Sequence, residues 1–266
     1  MRQFDFGENW VGFSTHALTA ESISESRAAF GVLMAGVPLK GCTFLDIGFG
    51  QGLIVLMAQE QGAKVSGCDI NEKCVEAYRA TSKHFVKVSS DEPHLVVGSI
   101  LDDGFVQMDL LQPVIGERGY DVVHSWGVLH HTGDMAKAMT NAASLVKPGG
   151  YFVIAIYNRH WSSRPWLFIK WFYNLLPRFL QPACCWLFTP VIWLAKLLVT
   201  GKNPLRQERG MDFYYNVVDW VGGYPYEYGS IGEIEMFLDR IGFKMIKAIP
   251  AAVPTGCNEF VFLKNV

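Results

Sequence analysis

The sequence predicts an α/β protein: a mostly parallel sheet with helices packed on both faces. Two observations carry this. Between residues 43 and 157, short apolar runs of strand length alternate with longer segments of helical periodicity. Strands joined through helices run parallel and are covered on both sides, with right-handed crossovers. Within that alternation a buried strand, Phe44-Leu45-Asp46-Ile47, runs into glycines at alternate positions, Gly48, Gly50 and Gly52, and a helix starts immediately after them.

The elements follow in order. Residues 22–37 read as an amphipathic helix, with Ser22 and Glu25 as a capping box and Ile23, Phe30, Leu33, Met34 and Val37 on one face. Gly36, Pro38 and Gly41 end it. Strands are expected at 43–47, 64–69, 94–98, 120–125 and 151–157, and helices at 53–61, 71–84 and from an Asp134 cap to residue 146. Lys147-Pro148-Gly149-Gly150 turns the chain into the fifth strand. An aromatic stretch, about 160–200, then interrupts the alternation, and a polar segment, 200–210, follows. Residues 211–230 are aromatic and glycine-rich, too irregular for one helix. A helix at 231–241 and two closing strands at 243–249 and 259–263 complete the chain. The 266 residues suit one domain with an insertion. Residues 1–159 form an N-terminal helix and α/β core, 160–210 a helical insertion, and 211–266 an acceptor-site loop and the closing strands.

Composition narrows the function. A net charge of −2 leaves no basic surplus to neutralise a nucleic-acid backbone, so no nucleic-acid partner is expected. The six cysteines show no metal-ligand spacing, and several lie in apolar runs, so free thiols in a reducing cytoplasm and no metal are expected. Residues 1–10 lack an apolar signal core. Residues 166–199 are crowded with Trp, Phe, Leu and Ile, but Lys170, Pro177, Arg178, Pro182, Pro190 and Lys196 interrupt them. No transmembrane helix is expected there.

The glycine loop is the most informative segment. Without Cβ atoms its backbone turns tightly and admits a ligand closely. The pattern is GxGxG with Asp46 two residues ahead. That carboxylate would repel a pyrophosphate and welcome a cationic or amine-bearing ligand. Asp69 ends the next strand, seventeen residues beyond Gly52, where an acid accepts hydrogen bonds from a ribose diol. The plainer alternative is a tight turn, with Asp69 capping the following helix.

With these residues, and with Asp121-Val122-Val123-His124-Ser125-Trp126-Gly127-Val128-Leu129-His130-His131-Thr132-Gly133-Asp134, the chain resembles the class I S-adenosylmethionine (SAM) dependent methyltransferases across nearly residues 40–158. More narrowly it resembles the subgroup acting on ubiquinone precursors and secondary metabolites. The resemblance implies a Rossmann-like, seven-stranded, mostly parallel sheet whose last strand is antiparallel, with a helical insertion after strand 5. It implies SAM as cofactor and S-adenosylhomocysteine as product. Asp46, Gly48, Phe49, Gly50 and Gly52 would cradle the amino-acid end, Asp69 the ribose, and Ile70 the adenine. Ser99 and Ile100 would border the adenine, and Ser125 the cofactor. Phe49 departs from the family's small residue, and Leu101-Asp102-Asp103 leaves the adenine-amine contact open between Ser99 and Asp102.

Methyl transfer requires alignment above all, and an oxygen or nitrogen acceptor must also lose a proton. His130 and His131 are the candidate bases, the alternative for each being structural packing or local hydrogen bonding. His124 reads as a core residue, whereas His16, in the segment that folds over the cofactor in this family, could face the site. Trp126, Trp220, Tyr224, Tyr226, Glu227 and Asn258 are candidate acceptor contacts. The stretch 161–199 admits three readings: a helical lid, a homodimer interface, or a membrane-surface patch. The expected function is methyl transfer to an oxygen or nitrogen of a small molecule. A protein, peptide or lipid-linked acceptor, or a non-catalytic SAM-binding module, is the alternative.

Overall fold

The computed structural model describes residues 4–85, 92–201, 203 and 213–266. Seven strands, β1 (Thr43–Ile47), β2 (Lys64–Asp69), β3 (His94–Val97), β4 (Tyr120–Trp126), β5 (Val146–Tyr157), β6 (Phe243–Ile249) and β7 (Cys257–Lys264), form one sheet of order β3-β2-β1-β4-β5-β7-β6. β7 runs antiparallel to both neighbours, and the other pairings are parallel. The strand order reverses at β1, so a crevice opens beyond the carboxyl ends of β1 and β4.

Both faces of the central strands are dry, and side-chain alternation divides them. Leu45, Ile47, Val123, Ile154, Phe260 and Phe262 enter one buried cluster, whereas Phe44, Val122, Val153 and Val261 enter the other. Successive strand residues point to opposite faces, so a strand buried on both sides is apolar at most positions. All five residues of β1 are buried.

Helices α3 (Leu53–Glu60), α4 (Lys73–Ser82), a short α5 (Asp103–Phe105) and α6 (Met135–Ser144) connect the parallel strands. Asp134 caps α6 as expected, accepting from the Lys137 amide at 3.0 Å. Two differences from expectation lie at the N-terminus. A helix, α1 (Phe6–His16), precedes the expected first one and starts where the Asp5 carboxylate accepts from the Glu8 amide. The next, α2 (Ala20–Leu33), begins at Thr19, not Ser22: Thr19 takes the extended cap conformation and exchanges hydrogen bonds with Ser22, so Ser22 closes the box instead of opening it.

The insertion after β5 is helical: α7 (Ser163–Leu175), α8 (Gln181–Thr200) and α9 (Phe213–Gly222) share a third cluster around Tyr173, Cys185, Ile192, Val217 and Val221. The polar segment 200–210 lies mostly outside the described residues. α10 (Ile231–Asp239) then leads into β6. α9 occupies half of the stretch expected to be irregular. More consequentially, α8 runs unbroken through Pro190, giving one helix of 20 residues that is long and apolar enough to cross a membrane by length and composition. Proline at 190 removes the bond to the Trp186 carbonyl, but both residues lie on the exposed side, where that carbonyl can be solvated.

Candidate functional site

At the carboxyl end of β1 the glycine loop folds back on β2. The Gly48 amide donates to the Cys68 carbonyl at 2.7 Å, and the Gly50 amide to Asp69 Oδ2 at 3.1 Å. Asp69 Oδ1 accepts from the Asn71 amide at 2.9 Å. Burial raises the Asp69 carboxyl above its ordinary range, and these amide bonds oppose the shift. Gly48 has φ +74°, and a Cβ there would lie 2.3 Å from Val128 Cγ2, so a larger residue does not fit.

A cavity of about 1180 Å³ begins here and runs under the insertion. Ligand pockets span roughly 300–1,000 Å³, so this one has room for a cofactor and a second molecule. Ile47, Gly48, Asp69, Ile70, Val97, Ser99, Ile100 and Leu101 line the near end. Ile70 is 58% and Val97 48% exposed, apolar surface of the kind an adenine ring covers. With the Asp69 carboxylate ready for diol donors, the near end fits SAM. α1 lies across it: Trp10 sits over Gly50, and Asp5 accepts from Asn71 Nδ2 at 2.7 Å and Lys73 Nζ at 2.9 Å.

Several expected cofactor contacts lie elsewhere. Asp46 is buried off the cavity wall, its Oδ1 2.7 Å from His124 Nδ1; the two are neighbours across the β1–β4 pairing. Phe49 packs into the core against Gly67. Gly50 and Gly52 shape the turn; Gly52, at φ +78°, caps α3 beneath Tyr78. Ser125 is fully buried, its hydroxyl on the Ile47 carbonyl at 3.0 Å.

The far end is aromatic. Trp126, His131, Tyr157, Trp166, Trp220 and Asp219 line it, with Ile192 and Ala195 from α8. Trp126 is held by Glu259, whose Oε1 accepts from the indole at 2.7 Å. His131 is the one candidate base on the wall. Its Nδ1 meets the Pro225 carbonyl at 2.5 Å, and a carbonyl can only accept, so the proton is on Nδ1. Burial and the nearby Lys170 push its pKa down to about 3, leaving a neutral, weakly basic ring. His130 is fully buried behind it, 4.0 Å between ring centroids from Tyr157, and burial lowers its pKa well below the usual value. It does not line the cavity.

The remaining expected acceptor contacts also lie off the cavity wall, Tyr226, Glu227 and Asn258 because the fold uses their side chains. His16 is exposed at the end of α1, away from the cavity. Tyr226 is buried behind the wall, and Tyr224 binds the Phe4 amide through its carbonyl. Glu227 Oε2 accepts from the Met135 amide at 2.9 Å, at the start of α6. Asn258 is buried, bonding Asn158 and the Ala251 amide. The loop before β7 reaches the cavity through Val253, Pro254, Thr255, Gly256 and Cys257 instead.

Asp219 is the residue that pattern reading passed over. It stands on α9 facing the cavity, and Asn9 of α1 donates to its Oδ1 at 2.7 Å. Burial pushes its carboxyl up to about 7. Behind it, Lys170 of α7 is wholly buried. Its ammonium sits 4.6 Å from the Trp220 ring, 4.8 Å from Tyr226 and 5.7 Å from Tyr157, and donates to the Trp220 carbonyl. Burial lowers its pKa to about 7. The only sequence signal for Asp219 was a carboxylate heading the Trp220-Val221-Gly222-Gly223-Tyr224 run.

This sheet order, with β7 antiparallel and a groove at the ends of β1 and β4, defines the class I SAM-dependent methyltransferase fold. The chain belongs to the methyltransferase domain family, whose family model matches residues 21–191. A ubiquinone biosynthesis O-methyltransferase of Rhodopseudomonas palustris (strain TIE-1) is 31% identical over 125 residues, 47% of this chain and 44% of that protein. The chain thus spans less than half the length of this relative. One from Coxiella burnetii (strain RSA 331) is 25% identical over 183 residues, 65% of this chain and 72% of the relative. In fold, the chain is similar to magnesium protoporphyrin IX methyltransferase of Synechocystis PCC 6803 with bound S-adenosylhomocysteine: TM-score 0.55, 15% identity, 91% of this chain and 83% of the other. It is also similar to a Burkholderia thailandensis 1,6-didemethyltoxoflavin-N1-methyltransferase: TM-score 0.53, 14% identity, 91% and 79%.

Proposed function

We propose that this protein transfers the methyl group of SAM to a hydroxyl oxygen of a small, amphipathic acceptor, with Asp219 as proton acceptor. The observation that carries the reading is the single cavity joining the Asp69–Ile70 end to an aromatic chamber with a carboxylate on its wall. When bound, SAM supplies a sulfonium methyl group open to in-line displacement.

The chain's own residues do the rest. Asp69 accepts from the ribose diol, and Ile70 and Val97 pack on the base. Trp126, Tyr157 and Trp220 hold the acceptor by its apolar faces, which supplies the alignment that methyl transfer needs. Asp219, poised near neutrality and steadied by Asn9, takes the acceptor's proton; a base matched to the working pH is the more effective one. Neutral His131 shapes the chamber. α1 lies over the near end and α8 walls the far end.

The test is isothermal titration with SAM and S-adenosylhomocysteine, followed by mass-spectrometric detection of methyl transfer to phenols and catechols with apolar substituents. Micromolar cofactor binding with O-methylated product supports the reading. Absent binding to ligand-free protein refutes it, and product methylated on nitrogen refutes the acceptor atom.

A further inference from the structure

We propose that α7 and α8 form a docking face for an anionic lipid surface, and that the cavity takes its acceptor from the bilayer. The docking stands on the surface itself; only the identity of what enters the cavity rests on the function proposed above.

The face is apolar beyond what a water-exposed surface ordinarily carries. Trp161, Phe168, Phe179, Trp186, Leu187 and Leu198 are each more than 60% exposed. On α8 two stripes run side by side. Cys185, Phe188 and Ile192 pack inward against α9 and α7. Leu187, Val191, Leu194 and Leu198, spaced four, three and four residues apart, face outward and are each at least 49% exposed. A helix apolar on its outer side as well as its inner one is seeking a second apolar medium.

Charge identifies that medium. From residue 161 to 201 the charged residues are Arg164, Lys170, Arg178 and Lys196, with no Asp or Glu among them; Lys170 is buried, which leaves Arg164 and Arg178 exposed and Lys196 half-buried. The whole chain is at −2, so the residues outside this segment sum to −6 and the segment is purely cationic. Apolar and aromatic side chains interspersed only with cations match an anionic headgroup layer over acyl chains. They match a second copy of the same face poorly, because a symmetric pairing would set cation against cation.

The helix lies on the membrane and does not cross it. Ile192, Ala195 and Val199 form part of the cavity wall, so drawing α8 into the bilayer would open the cavity. Val191 and Val199 are both exposed on the outer surface and part of that wall, which brings the cavity out to the docking face. An acceptor with an apolar tail and a hydroxyl-bearing head could then enter head first while its tail stays in lipid.

The experiment is flotation of the full chain, saturated with S-adenosylhomocysteine, on vesicles of phosphatidylcholine with and without phosphatidylglycerol, at low and high salt. The wild type is expected to float with the anionic vesicles, less at high salt, and weakly with phosphatidylcholine alone. Trp186→Glu/Leu187→Glu/Leu198→Glu touches no cavity residue. It should lower the bound-to-free ratio at least about tenfold, given the cost of burying charge in lipid, with unchanged unfolding midpoint and S-adenosylhomocysteine affinity. If that variant fails to fold, Trp161→Ser/Phe179→Ser serves the same purpose. A wild type that ignores both vesicle types, or a folded variant that floats equally well, overturns the proposal. So does a dimer by light scattering that the variants dissolve without any flotation, which would assign the face to self-association. Loss of S-adenosylhomocysteine binding would count against the proposed function and leave the docking result intact.

Discussion

Replacing Gly48 by alanine tests the geometry on which the near end of the cavity depends. Gly48 sits at φ +74°, and the left-handed conformation costs a residue with a Cβ about 1–2 kcal/mol. The added methyl would also lie 2.3 and 2.6 Å from the two Val128 methyls, so β1's loop or the segment after β4 must shift; overpacking of this kind costs about 1–3 kcal/mol. Together these predict destabilisation of about 2–5 kcal/mol, or on the order of 10 °C in unfolding midpoint for a chain of this size. The two contributions separate in a double-mutant cycle. Val128→Ala removes the two methyls that clash most, so the Gly48→Ala/Val128→Ala protein should recover about 1 kcal/mol or more relative to the sum of the single changes, keeping the backbone strain, the 2.9 Å approach to the Cβ of residue 128 and the cost of shortening Val128. Differential scanning calorimetry and denaturant titration read both. A Gly48→Ala midpoint within about 2 °C of wild type, or strictly additive singles, would refute the reasoning, because neither is compatible with a glycine forced by both conformation and contact.

Three further outcomes are expected. Asp69→Asn removes a charged acceptor from the near end and should weaken S-adenosylhomocysteine binding about ten- to a hundredfold by titration calorimetry, in line with hydrogen bonds to charged groups; unchanged affinity would remove Asp69 from the cofactor. Asp219 is protonated below about 7 and cannot then accept a proton, so turnover of an accepted phenol should fall as pH drops through about 7 and level off above it. Asp219→Asn should abolish that limb and lower kcat about 10²–10⁴-fold with cofactor affinity unchanged, and a retained pH profile would acquit the carboxylate. Ser125→Ala removes one buried hydrogen bond, to the Ile47 carbonyl, and should cost about 1 kcal/mol of stability with no change in S-adenosylhomocysteine affinity.

Much of the fold was legible in the chain because it follows from local rules. Strands buried on both faces are apolar at most positions, glycines stand where the backbone takes positive φ, and an acid closes the next strand. Those signals place β1 to β5, the turn at Gly48 and the acid at Asp69 without any knowledge of what packs on them. Where a helix begins was less legible: Thr19 and Ser22 both have capping side chains, and only the packing of α2 chooses between them. Pro190 reads as a break by propensity, yet α8 continues because the orphaned carbonyl faces outward.

The site itself divides the same way. Sequence alone determined that a strand–glycine–helix unit with a partnered acid exists, since each of its parts is set by neighbours a few residues away. Tertiary structure alone decided which polar side chains face the cavity. Asp46 is claimed by His124, Glu227 by the start of α6 and Asn258 by Asn158, while Asp219, about 170 residues beyond the glycine loop, meets Asn9 of a helix that the pattern did not announce. The physical reason is that a buried polar group must find a partner, and which one it finds depends on contacts between distant segments that no local pattern encodes.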